Sequence, residues 1–221
     1  MTEPALDTAA PAEALPAPNA SPAAPAGWSG AAMALNAVRR MPSAMIVSLR
    51  ADAFDPMLID MRGYVYQWPV PLEQFPTQPT SVVIGTRAIE RPVPAFAAVD
   101  YAYTRPAFSG HPLEALLWLL GTHAFDGTRA SWLRSGDRYR LYRWPEFEKL
   151  PIADEQVHIV KTIARGFMTV DKLATKAGVD LEAAQRVVNA LSLMALLRRH
   201  PAANAAPDAP PPPPPGSLPI L

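Results

Sequence analysis

Proline sets the limits of what this chain can fold into. The 221 residues include 27 prolines, crowded into positions 1–26, recurring between 56 and 112, and returning from 201 to 219. Proline fixes φ and has no N–H to donate, so a proline-dense stretch sustains neither a helix nor a central strand. Residues 1–27 add Ala, Glu, Asp and Thr but few large apolar side chains. Such a segment cannot bury enough surface to offset the ordering cost, roughly 1–2 kcal/mol per residue, and is expected to be a disordered tail. The same expectation holds for 201–221, where the run Pro210–Pro215 should form a polyproline II rod rising about 3.1 Å per residue. The foldable part is therefore 28–200. It reads as a small α+β domain over 28–150 followed by a three-helix domain over 151–200.

Charge and composition narrow the function classes. Formal net charge is zero and the pI is near 6.9, so there is no overall basic field for nucleic acid or anionic membrane. There is no cysteine, which removes disulfides, zinc–thiolate sites, iron–sulfur clusters and cysteine nucleophiles. The first 27 residues carry no Lys or Arg and no continuous apolar run, which argues against a secretory leader. The longest apolar cluster, Leu113–Leu120, is interrupted by Glu114 and falls short of the ~18 residues that a membrane span needs. A cytoplasmic protein with no membrane span is the resulting expectation.

Within 28–150 the patterns predict a helix over Ala31–Arg40 and a buried strand over Ala44–Leu49. A strand over Leu58–Trp68 should carry Tyr64, Tyr66 and Trp68 on one face, with Gly63 marking a bulge or tight turn. Ser81–Thr86 reads as another strand, and Pro92–Ser109 as irregular. Pro112–Leu120 should be a helix burying Leu113, Leu116, Leu117 and Leu120 and closed by Gly121. Arg138–Trp144 reads as a strand.

The last folded segment has the clearest signals. Ala153–Arg165 is amphipathic and stops at Gly166. Thr169 can cap a second helix with Val170, Leu173 and Ala177 inward, and Gly178 can turn the chain. Asp180 can cap a third helix with Leu181, Ala184, Val187, Val188, Leu191 and Met194 facing inward. Ala174 followed four residues later by Gly178, with Leu173, Ala177, Val179, Ala184 and Val187 apolar, resembles the helix-turn-helix superfamily. The stretch from Tyr139 to Arg199, with Tyr139-Arg140-Leu141, Trp144-Pro145 and Leu191–Leu197, also resembles the C-terminal winged-helix module of PatA-like bacterial regulators. Where such modules commonly place Gly after the third helix, this chain has Ala195. The resemblance implies a bacterial regulatory protein.

In DNA-binding members of that superfamily the exposed start of the third helix enters the major groove. Here Gln185, Arg186 and Asn189 are the candidate contacts to DNA or to a partner, on the helix starting at Asp180. Asp180 and Glu182 would meet phosphate with like charge, and residues 151–200 carry an excess of only two positive charges. That balance favours a protein partner over DNA.

A second candidate set is Arg134, Arg138, Arg140, Tyr142 and Trp144, where guanidinium and aromatic groups could hold a phosphate or a nucleotide ligand. Arg138, Arg140, Tyr142 and Trp144 would share one strand face, either binding a ligand or packing Tyr142 and Trp144 under the following helices. The Arg134–Arg138 spacing resembles the RxxxR of PilZ domains, which bind cyclic di-GMP, but their Asp/Asn-x-Ser-x-x-Gly run is missing. His111, His123, His158 and His200 stand at no metal-ligand spacing, and Asp52, Asp55 and Asp60 read as turn caps. No P-loop, dinucleotide fingerprint or nucleophile elbow is present. The sequence therefore points to a non-enzymatic adaptor without cofactor or metal that docks on protein. DNA-binding regulator and nucleotide sensor are the alternatives.

Overall fold

A computed structural model describes residues 27–41, 45–88 and 107–202. Both expected tails (except Gly27, Pro201 and Ala202), the Pro210–Pro215 rod and most of the expected irregular stretch 92–109 lie outside these residues. The described chain is mixed α+β, with five α-helices and a five-stranded antiparallel sheet.

Helix α1 (Ser29–Val38) lies against the sheet formed by β1 (Met45–Ala51), β2 (Met57–Asp60), β3 (Val65–Gln67), β4 (Val82–Ala88) and β5 (His111–Pro112), in the order β4-β1-β2-β3-β5. The two-residue period of β1 sends Val47, Leu49 and Ala51 into the core and turns Ser48 and Arg50 away from it. Register aligns Val47 with Ile59, Leu49 with Met57 and Ala51 with Val82, so one face of three strands is apolar. Ala31, Ala32, Leu35 and Val38 of α1 are buried with that face.

The single strand expected over Leu58–Trp68 is instead the hairpin β2–β3. Its cause is Asp60, whose buried carboxylate accepts the N–H groups of Arg62 (3.0 Å), Gly63 (2.8 Å) and Ala107 (2.8 Å). Those bonds turn the chain at once, and Tyr64 enters the left-handed region at φ 55. Asp52 makes a similar cap, accepting from the N–H groups of Thr80 and Ser81.

Helix α2 (Glu114–His123) buries Leu116, Leu117 and Leu120, with Leu113 buried at its start. It does not close at Gly121 as the sequence suggested. Gly121 lies inside the helix at its crossing with α5, where an added Cβ would collide with the backbone of Ala190. The missing side chain serves close approach rather than termination.

Strand β6 (Arg138–Leu141) is shorter than the expected Arg138–Trp144. It ends because its partner β7 (Leu197–His200) begins at Leu197, opposite Leu141. Helices α3 (Asp154–Ala164), α4 (Val170–Ala177) and α5 (Leu181–Leu193) lie between the two strands in sequence. Thr169 Oγ1 accepts Lys172 N–H, Asp180 Oδ1 accepts Ala183 N–H at 2.6 Å, and Gly178 sits at φ 67. Leu181, expected inside, is half exposed, while Ala184, Val187, Val188 and Leu191 of the same helix are buried. One hydrophobic core runs from α1 and the sheet through α2 to α3, α4 and α5 without interruption at position 150.

Ala195, where the resemblance leads one to expect glycine, has φ 59. A Cβ costs about 1–2 kcal/mol in that conformation, partly offset by glycine's larger unfolded-state entropy. Ala195→Gly is therefore expected to stabilise the fold by about 0.5–1 kcal/mol in urea unfolding, with an unchanged slope. An Ala195→Gly variant no more stable than the parent would contradict a left-handed position there.

Candidate functional site

Two surfaces follow from the sequence candidates: the start of α5 and the ribbon formed by β6 and β7.

At α5 the candidates separate. Gln185 and Asn189 are buried, with relative exposures of 7% and 1%. Asn189 Oδ1 accepts N–H of Ala130 (3.2 Å) and Gln185 Nε2 (2.9 Å), while its Nδ2 donates to the Thr128 carbonyl (2.8 Å). These bonds satisfy the backbone of segment 126–130, which lies along the leading half of the helix. Gly127 comes so near that an added Cβ would press on the Glu182 side chain. Arg186 is the one of the three at the surface, and its guanidinium faces Asp126 at 3.4 Å. Of the face expected to meet DNA or a partner, Gln185 and Asn189 are thus covered by the chain itself, while Asp180, Leu181 and Glu182 stay exposed. Beside it, burial first and the Arg186 charge second lower the pKa of His123.

On the ribbon, strand alternation sorts the residues. Tyr139 and Leu141 face inward and are buried. Arg138 and Arg140 face outward, opposite His200 and Arg198. Among the described residues, Arg138, Arg140 and Arg198 form no ion pair. Arg138 Nη2 lies 3.3 Å from His200 Nδ1, and the Arg198 guanidinium sits 4.4 Å from the Tyr142 ring centroid. Arg140 directly opposite Arg198 is a like-charge cross-strand pair, an arrangement that lowers stability.

Tyr142 and Trp144 lie beyond the strand and do not pack under the helices. They are 62% and 53% exposed, with Trp144 edge-on to Phe147 at 6.0 Å. Arg134 belongs elsewhere, in a cleft on the other side of the ribbon, so the Arg134–Arg138 spacing does not form one site. Arg198 completes the outer face and was missed in the sequence, because nothing local pairs 138–141 with 197–200.

Comparison of the chain with protein-family models, with curated proteins and with solved structures finds no match. The surfaces must therefore be read from their own chemistry. Among the described residues no group of three His, Asp or Glu side chains could hold a metal ion, and no helix is long and apolar enough to cross a membrane.

Proposed function

We propose that this chain is a non-enzymatic, cytoplasmic regulatory adaptor that docks an acidic protein surface on the outer face of the β6–β7 ribbon. One observation carries this reading: Arg138, Arg140 and Arg198 stand together without carboxylate partners among the described residues, flanked by exposed Tyr142 and Trp144. Arginine, tyrosine and tryptophan are the side chains that concentrate binding energy in protein interfaces. The unbalanced positive charge calls for an acidic counterpart, and burying it there would offset the like-charge cost of the free ribbon.

In this reading α3, α4 and α5 form a winged-helix-like module. Its strand pair is assembled from β6 before the helices and β7 after them. The Tyr139–Met168 bridge, with backbone N···O distances of 2.8 and 3.0 Å, supports it by tying the α3–α4 connection to the ribbon. Docking is favoured over DNA reading because Gln185 and Asn189 are buried against segment 126–130 and the exposed start of α5 presents Asp180 and Glu182, which would repel phosphate.

A photo-reactive side chain at position 143 tests the proposal in the native host. The expected adduct is one acidic protein, formed from the parent chain and lost when Arg138, Arg140 and Arg198 are all changed to Glu. Nucleic acid adducts, or an equal protein yield from a probe at position 176 on α4, would count against it.

A further inference from the structure

We propose that the arginine cleft between the end of α1, the 131–134 segment and β7 binds a diphosphate-bearing ligand of nucleotide size. The cleft has a volume of about 590 Å³, well inside the ~300–1,000 Å³ of small-ligand sites. Arg39, Arg40, Arg134 and Arg199 line it, with no carboxylate among the described lining residues. These arginines come from three separate stretches of chain, so the fold, and not one charged segment, brings them together.

Each is placed by a different device. Arg39 Nη1 donates to the carbonyls of Ser192 (3.2 Å) and Leu193 (2.6 Å), and its Nη2 to Asn36 Oδ1 (3.0 Å). It caps the last turn of α5 and forms the floor. Arg40, beside it, is exposed. The backbone of Arg134 is bracketed by the Tyr139 hydroxyl, which accepts from its N–H and donates to its carbonyl. Arg199 is aimed by Asp137, a buried carboxylate whose Oδ2 lies 3.5 Å from Arg199 Nε. That contact uses the inner nitrogen and leaves both terminal nitrogens, the fork that grips phosphate oxygens. Trp132 adds a fixed ring to the wall, with Nε1 donating to Ser192 Oγ at 3.0 Å and a T-shaped contact to Phe125 at 5.3 Å. Burial first and the charge of Arg40 second lower the Arg39 pKa.

The cleft is independent of the docking face. Alternation along β7 sends Arg198 outward and Arg199 into the cleft. Arg40→Gln and Arg140→Gln therefore separate the two.

The test is thermal unfolding of the full chain with ADP and with inorganic pyrophosphate, against sodium chloride at matched ionic strength. Both probes should raise the melting temperature increasingly with concentration. Arg40→Gln should weaken both affinities about tenfold through loss of a charge-assisted contact, and Arg140→Gln should leave them unchanged. No probe-specific rise at millimolar concentration would overturn the proposal. So would equal weakening by the two variants, which would mean general attraction to a positive surface.

Discussion

Gly121→Ala is expected to lower the unfolding free energy by about 2 kcal/mol, against the gain of roughly 1 kcal/mol that the change gives in an isolated helix. The sign reverses because of what lies opposite. Helices α2 and α5 cross where Gly121 meets Ala190, and an added methyl would overlap the Ala190 Cα as well as its Cβ. Backbone cannot rotate away as a side chain can, so the helices must separate and open contacts across the core. Ala190→Gly removes one colliding group but leaves the main chain in place. The double variant should therefore recover only part of the loss, with a coupling of about 0.5–1 kcal/mol in a double-mutant cycle. Chemical denaturation of the four proteins decides it. A Gly121→Ala variant at or above parental stability would mean that α2 and α5 do not meet so closely at Gly121 and Ala190.

The larger effect belongs to Asn189. Asn189→Ala should cost about 3–5 kcal/mol, because it leaves the buried Ala130 N–H and Gln185 amide and the partly buried Thr128 carbonyl without their partner. Loss of one buried polar partner typically costs about 1–3 kcal/mol, and here three groups share one residue. Asn189→Asp keeps the acceptor but buries a charge and loses the donor to Thr128, so it should be at least as damaging. A residue that served only to contact DNA or a partner would give the opposite pattern, with binding lost and stability kept. An Asn189→Ala melt within about 0.5 kcal/mol of the parent would place the side chain at the surface.

These two positions mark where the sequence stops being readable. Thr169, Gly178 and Asp180 could be read because a cap or turn is decided within a few residues. The apolar faces of α2 and α5 were legible for the same reason, since their periodicity is local. Gly121 misled because its role is set by Ala190, far along the chain. Gln185 and Asn189 misled because polar side chains on a helix are assigned to solvent by pattern alone, and only the fold brings the unsatisfied backbone of 126–130 against them. The candidate site was half legible. Arg138, Arg140, Tyr142 and Trp144 stood out as arginine and aromatic groups at short spacing. That β6 ends at Leu141, and that Arg198 and His200 complete its outer face, depends on a pairing that no local signal announces.

The polar side chains of α5 serve packing, with Gln185 and Asn189 buried, and the proposed docking takes place on the ribbon. Selection of duplex DNA from a random pool at physiological salt, followed by titration of the enriched sequences, tests it most directly. The expected result is no affinity tighter than the ~10⁻⁴–10⁻⁶ M of non-specific binding, unchanged in Arg186→Ala. A defined sequence bound at nanomolar concentration and weakened by Arg186→Ala would contradict it.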